Sequence, residues 1–120
     1  MTNEQFTVWL EKLINIWSTK NPNGVLDLIS EKFIWYETPF DKPITTKEEL
    51  LREWQTVLNQ DEISVTYEIF NIENDIGIVH WNATFTRLPS KAKAELDGIY
   101  KVVLDENGKC TEFHQWYNSK

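Results

Sequence analysis

The spacing of apolar residues changes once along the chain, and this change constrains the fold more than any other feature. Before residue 60 most apolar residues recur at helical intervals, whereas from Ile63 onward they alternate with polar residues at the period of two that strands show. Helices followed by long antiparallel strands are typical of an α+β fold, in which helices cover one face of a sheet. We therefore expect helices first and hairpins after.

The first half of the chain predicts three helices and one strand. Capping boxes at residues 2–5 and 46–49 begin the first and third helices, and the third helix is expected to end near Asn59. A turn at residues 21–24 separates the long first helix from a short second one. The β-forming residues 33–37 then predict a strand that a proline ends.

The second half predicts two antiparallel hairpins. Strands at residues 65–72 and 76–86 flank a tight turn, and strands at residues 94–104 and 109–117 flank a second turn. The second turn contains Asn-Gly at residues 107–108, which supplies the positive φ that a hairpin turn requires. The four strands are expected to form one continuous sheet.

The composition describes a folded domain and excludes two classes of partner. The chain has 120 residues, 41% of them hydrophobic, which suffices for one domain spanning residues 1–120. A net charge of −7 without a run of Lys or Arg repels nucleic acid and anionic membrane surfaces. No apolar run approaches the roughly 20 residues of a membrane span. A single cysteine and the lack of a signal-peptide pattern lead us to expect a cytoplasmic location.

Three segments carry a resemblance to a known family. The segment YETPFDKPITTKEELLREW (36–54) resembles the strand, loop and helix of SnoaL-like members of the nuclear transport factor 2-like superfamily. GIVHWNATF (77–85) looks like their central strand, and AELDGIYKVVLDENGKCTEFHQWY (94–117) resembles their closing hairpin. Element order and motif spacing agree over nearly the whole chain.

The resemblance implies a cone-shaped fold with a cavity. In this family a curved, mostly antiparallel sheet wraps around the long N-terminal helix, leaves a cavity at the wide end, and commonly dimerises through the sheet. It therefore implies a small-molecule ligand, a homodimer and no cofactor. The superfamily includes isomerases, dehydratases, cyclases and many non-catalytic pockets, so the resemblance leaves open whether this chain is an enzyme.

Two family positions for a catalytic acid hold other residues. In steroid isomerase relatives the general base directly precedes the proline of an acid-acid-proline motif, and the matching residues here are Glu37, Thr38 and Pro39. The base position thus falls on Thr38, whose hydroxyl is too weak a base alone. Strand alternation is expected to point Glu37 outward and Tyr36 and Thr38 inward. Cyclases of the SnoaL type carry an acid after the tryptophan of the last strand, where this chain has Tyr117.

The remaining ionisable candidates lie on the predicted strands. His80 and His114 are the only histidines, and Asp97, beside Gly98, could complete an acid/base pair with one of them. Gly98 within a strand is typical of a bulge, a close approach or a bend of the sheet. No spacing motif predicts a metal site. Asp97 and His114, with Glu37 as a tentative third, are the candidate catalytic residues.

The abundance of aromatic residues favours a lined cavity. Large flat rings hold a pocket open and offer faces to a ligand. The candidate ligand-binding residues are Trp17, Tyr36, Thr38, Trp54, Trp81, Tyr100 and Trp116.

Three functions remain open from the sequence. The first is binding of a small, partly hydrophobic molecule without established catalysis. The second is a lyase or isomerase, in which Asp97 and His114 transfer protons as a dehydratase or ketosteroid isomerase does. The third is a partner-binding protein like the transport factor itself, which would need an exposed apolar patch on the sheet.

Overall fold

All the helices lie before residue 60, and four of the five strands begin at or after it, as the change of period predicts. The structure, a computed structural model, describes residues 1–120. Its α-helices are α1 (Asn3–Ser18) and α2 (Lys47–Trp54), and 3₁₀ helices span Pro22–Leu28 and Gln55–Asn59. The strands are β1 (Ile29–Tyr36), β2 (Gln60–Glu73), β3 (Ile76–Arg87), β4 (Lys93–Leu104) and β5 (Cys110–Ser119). Neither α-helix has the length and apolar character needed to cross a membrane.

The sheet has the strand order β1-β5-β4-β3-β2 and is curved without closing into a barrel. The pairs β2–β3, β3–β4 and β4–β5 are antiparallel, whereas β1 pairs with β5 in parallel. It follows that β1, β3 and β5 run in one direction and β2 and β4 in the other. This is the α+β fold with a mostly antiparallel sheet that the sequence pattern predicts, and it matches the cone that the family resemblance implies.

Helix α1 covers the inner face of the sheet. The Thr2 side chain accepts a hydrogen bond from the Gln5 backbone, and the Gln5 side chain accepts one from the Thr2 backbone, so the predicted capping box is present. Phe6 packs against Gly77 of β3, where a Cβ atom would meet the Phe6 ring. The buried side chains of α1 lie at helical spacing and comprise Phe6, Trp9, Leu10, Leu13, Ile16 and Trp17.

A chain of aromatic contacts runs through the core. The Trp35 ring stacks on Phe113 with 3.8 Å between ring centroids, and Phe113 lies 4.9 Å from Tyr100. Tyr100 stacks on Trp81 at 5.0 Å, and Trp81 meets Trp17 of α1 edge-on at 5.9 Å. These five rings connect β1, β5, β4, β3 and α1 in turn, so one line of contacts ties the sheet to the helix.

Several element boundaries differ from the sequence prediction. The short second helix is a 3₁₀ helix, which begins with Pro22 at its N-terminus. The predicted third helix is divided at Trp54, and the tighter 3₁₀ turn that follows buries Val57. Strand β1 begins at Ile29 rather than residue 33, because its first residues pair with β5. Strand β2 begins at Gln60 rather than residue 65, because it pairs there with the end of β3.

Gly98 marks a close approach and not a bulge. The β3–β4 register is continuous through Gly98, which lies opposite Trp81 on β3 and Tyr117 on β5. A Cβ atom at this position would collide with the Trp116 carbonyl oxygen and lie 2.7 Å from the Tyr117 Cβ and 3.0 Å from the Trp81 ring. The glycine therefore gives the Trp81 ring the space it occupies against β4.

We predict that Gly98→Ala destabilises the protein by about 1–3 kcal/mol, since the added methyl group must displace backbone or a buried ring. Urea unfolding measures the loss. Gly108→Ala is an informative comparison, because a Cβ there meets no atom within 4 Å and any cost comes from its positive φ of 75°. Equal stability of Gly98→Ala and the wild type would contradict the close approach.

Candidate functional site

A cavity of about 360 Å³ opens at the end of the sheet where β1, β3 and β5 finish and β2 and β4 begin. Its volume lies within the range of small-molecule sites, roughly 300–1,000 Å³. The exposed residues at its rim include Glu53, Arg87, Tyr117 and Ser119. Seven buried aromatic side chains line its inner wall: Trp17, Trp35, Trp54, Trp81, Phe85, Tyr100 and Phe113.

The carboxyl group of Glu37 lies in this aromatic wall. The Trp35 indole Nε1 donates a hydrogen bond to Glu37 Oε1 at 2.7 Å. The Gln115 amide Nε2 donates to Glu37 Oε2 at 3.1 Å and to the Glu37 backbone carbonyl at 3.0 Å. One donor comes from β1 and the other from β5, so the pairing of these strands fixes the position of the carboxyl group.

Burial raises the pKa of Glu37 from 4.5 to about 7. The nearby charges of Glu53 and Asp41 act in the same direction, whereas the hydrogen bonds from Trp35 and Gln115 favour the ionised form and oppose the shift. A carboxyl group with this pKa holds a proton on a substantial fraction of molecules at neutral pH. It is therefore equipped to accept or donate a proton there.

The structure corrects the expected direction of Glu37. Phe33 and Trp35 of β1 are buried on the inner face, and Glu37 continues their alternation just after the strand ends. Tyr36 faces the opposite side, and Thr38 is not part of the cavity wall. Both Trp35 and Tyr36 are aromatic, so the sequence alternation at this point is ambiguous and the prediction chose the wrong face.

Tyr100 lines the same cavity as Glu37. Burial raises the pKa of Tyr100, and the charge of Glu37 raises it further. No hydrogen bond within the protein contributes to this pKa. The hydroxyl therefore keeps its proton at neutral pH and offers it to the cavity as a hydrogen-bond donor.

His114 lies on the outer face of the sheet, which is the face that α1 does not cover. Its ring stacks between Tyr36 at 4.6 Å and Trp116 at 5.7 Å, and its Nε2 lies 3.0 Å from Glu112 Oε2. Because neighbouring residues of β5 alternate between faces, Phe113 and Gln115 line the cavity while His114 and Trp116 do not. Tyr36, His114 and Trp116 are therefore separated from Glu37 by the sheet.

Asp97 also lies on the outer face, together with His80. The His80 Nε2 is 2.8 Å from Asp97 Oδ1 and its Nδ1 is 3.0 Å from Glu68 Oε1. These contacts raise the pKa of His80, and the His80 contact lowers the pKa of Asp97. Asp97 and His114 thus do not meet at a common point or reach the cavity. No group of three or more His, Cys, Asp or Glu side chains is arranged to hold a metal ion.

Several cavity residues were absent from the sequence prediction. Four predicted residues, Trp17, Trp54, Trp81 and Tyr100, do line the cavity. The prediction omitted Trp35 and Gln115, which hold Glu37, and Gln60 and Arg87 at the opposite side. The alternation of β5 carried a usable signal for Gln115, because a polar residue two positions from Phe113 shares its face.

An α+β fold with a curved, unclosed five-stranded sheet and a cavity at one end of it defines the class of this protein. The chain belongs to the SnoaL-like family, since the model of the SnoaL-like domain matches residues 10–113. No curated protein is significantly similar to it in sequence.

Solved structures share the fold at low sequence identity. One is SalBIII, an epoxide hydrolase/cyclase-like enzyme with a role in pyran ring formation in the polyether salinomycin. Its TM-score is 0.82 at 10% identity, and the match covers 98% of this chain and 95% of SalBIII. RV0760c from Mycobacterium tuberculosis, in complex with estradiol-17β-hemisuccinate, has a TM-score of 0.79 at 15% identity. This match covers 93% of this chain and 92% of RV0760c. A computationally designed 17-OHP binder has a TM-score of 0.79 at 17% identity, with the same coverage.

We predict that Glu37 makes the protein less stable as pH rises. Because folding raises the pKa of this carboxyl group, the folded state holds the proton more tightly than the unfolded state between pH 4.5 and about 7. The contribution of Glu37 to the free energy of unfolding is fully present below this window and is lost as the pH rises through it. The loss is about 2–3 kcal/mol between pH 5 and pH 8. Urea unfolding of the wild type and Glu37→Gln at both pH values isolates the effect, since other groups cancel. Identical pH profiles would contradict it.

Trp35→Phe should raise the pKa of Glu37 further. The phenyl ring keeps an aromatic contact with Phe113 but removes the N–H donor that favours the ionised carboxylate. The carbon NMR signal of the labelled Glu37 carboxyl group, followed through a pH titration, reports the change. Trp54→Phe is the control, since Trp54 contacts Trp35 edge-on and is not among the groups that shift Glu37.

Proposed function

We propose that the protein binds a small, partly hydrophobic molecule in the cavity and holds a polar group of that molecule at Glu37. The observation that carries this proposal is a hydrogen-bonded carboxyl group set in an aromatic wall. Ligand sites commonly combine apolar walls with a few positioned polar groups. Burial of an ionisable group lowers stability unless it is compensated, so such a group is a good functional candidate.

Proteins with the same fold support a small-molecule ligand. RV0760c was solved with estradiol-17β-hemisuccinate, and the designed protein of the same fold binds 17-OHP. SalBIII is described as epoxide hydrolase/cyclase-like. The fold thus accommodates both binding and chemistry on small molecules, and the residues of this chain must decide between them.

A second proposed function is proton transfer by Glu37. As a carboxylate, Glu37 would remove a proton from a carbon next to a carbonyl group, and the electron pair of the broken C–H bond would move toward the carbonyl oxygen. The Tyr100 hydroxyl would donate a hydrogen bond to that oxygen as it gains charge. Glu37 would then return the proton to another atom, as an isomerase or lyase requires. This role replaces Asp97 and His114, which lie on the other face.

A neutral carbonyl compound, 2-acetylnaphthalene, tests both proposals. Quenching of tryptophan fluorescence should report binding, since Trp35, Trp54 and Trp81 lie in the cavity wall. In D₂O the wild type should exchange the acetyl protons for deuterium faster than buffer does, as measured by proton NMR. Glu37→Gln should retain binding and lose exchange by about 100-fold, because general-base catalysis contributes about 10²–10⁴-fold.

Glu48→Gln is the matched control, because it removes the same charge from an exposed position of α2 outside the cavity wall and leaves the Glu37 hydrogen bonds in place. Exchange should persist in this variant. Binding without exchange in the wild type would support the binding function and contradict proton transfer on a simple ketone. Absence of binding would contradict the cavity as a site for such molecules.

We further propose that two copies of the chain pair through the outer face of the sheet. This face exposes two large apolar side chains, Phe70 at 58% and Trp116 at 42%. Both stack on histidines of the same face, Phe70 on His80 and Trp116 on His114. Aromatic residues are enriched in interfaces between proteins, where one ring face covers the partner.

The oligomeric state of a Phe70→Lys variant tests this proposal. Sedimentation velocity should show a dimer for the wild type and a monomer for the variant, because the introduced ammonium group would have to lose its water on burial in the interface. Phe40→Lys is the control, since Phe40 is 97% exposed in the loop after β1 and lies outside the sheet. A wild-type monomer at every concentration would contradict the pairing.

A further inference from the structure

Arg87 is the one basic side chain in the cavity wall, and it has no acidic partner. It ends β3, and its guanidinium carbon lies 5.2 Å from the centroid of the Phe85 ring. None of the seven ion pairs of the chain includes it, although the chain has 19 acidic and 12 basic residues. In a chain with an excess of acids, an arginine that faces a cavity without a carboxylate is available to an anion from outside.

Gln60 places a second set of donors beside Arg87. The two residues are paired across the β2–β3 register. The Trp17 indole Nε1 donates to Gln60 Oε1 at 2.7 Å, and because that nitrogen can only donate, the contact fixes which end of the amide carries the oxygen. The Gln60 Nε2 group, which makes no hydrogen bond within the chain, keeps its two N–H donors for the cavity that Gln60 lines.

The acidic groups of the cavity lie at the other side. Glu37 follows β1, and Glu53 belongs to α2. Trp54 of α2 packs edge-on against Trp35 of β1, so this helix lies beside β1. In the strand order, β5 and β4 separate β1 from β3. Three strand spacings make about 14 Å along the sheet, and less in a straight line because the sheet is curved. The cavity therefore has an acidic side and a basic side with aromatic rings between them.

We propose that Arg87 and the Gln60 amide form a subsite for a carboxylate, so that the ligand is a hydrophobic carboxylic acid. Its carboxylate lies against Arg87, its apolar body contacts the aromatic wall, and its opposite end reaches Glu37. This inference rests on the proposed binding function and adds the chemical class of the ligand. A planar guanidinium matches a carboxylate with two parallel hydrogen bonds.

The test compares naphthalene-2-carboxylate with naphthalene-2-carboxamide, two probes of the same shape that differ in charge. Isothermal titration at pH 8 should show the carboxylate binding the wild type about tenfold more tightly, as a charge-assisted contact of about 1.4 kcal/mol requires. Arg87→Gln should remove this preference by weakening the carboxylate alone. Arg87→Lys should retain part of it, and Gln60→Leu should reduce it.

Arg52→Gln is the matched control, because Arg52 is the only other arginine, is exposed on α2 and lies outside the cavity wall. It changes the net charge equally and should keep the preference for the carboxylate. Equal binding of the two probes to the wild type, or a preference that survives Arg87→Gln, would overturn the subsite and leave cavity binding intact. Binding of neither probe would overturn both proposals. A thermal melt of each variant verifies that it is folded.

Discussion

The stack of Trp35 on Phe113 is the contact on which the site depends. It joins β1 to β5 across their parallel pairing, at 3.8 Å between ring centroids. Aromatic pairs of this kind contribute about 0.5–1.5 kcal/mol beyond the area they bury. Here the stack also orients the Trp35 indole, whose N–H donates to Glu37. The same side chain thus packs its ring in the core and donates its N–H to a residue of the cavity wall.

The architecture could be predicted from the sequence because the hydrophobic period reports burial. The change of period near residue 60, the capping boxes and the Asn-Gly turn locate the helices and hairpins to within a few residues. The parallel pairing of β1 with β5 carries no such signal. It joins Ile29 to Cys110, and periodicity describes only neighbours along the chain. That pairing sets where β1 begins, so the sequence places this boundary four residues too late.

The site was less predictable, since it depends on which face each strand presents. At Trp35 and Tyr36 both faces carry an aromatic residue, and a shift of one position exchanges Glu37 for Thr38 at the cavity. Residue type alone favoured the histidines and Asp97 as acid/base groups, yet these side chains lie on the outer face of the sheet. No sequence motif marks Arg87 and Gln60. Their proposed role in binding follows from the register of β2 and β3 and from the lack of an acidic partner for Arg87.

The hydrogen bond between Gln115 and Glu37 spans 78 positions in the sequence. Contacts this distant form late in folding, because a long loop must close before they contribute free energy. During synthesis on the ribosome the helices and the hairpin of β2 and β3 emerge before β5 exists. The cavity wall therefore cannot be complete until the last strand has been made and has inserted between β1 and β4. Until then the emerging chain exposes Trp35 and the unpaired edges of β1 and β4, so it is most vulnerable to aggregation just before it becomes able to bind a ligand.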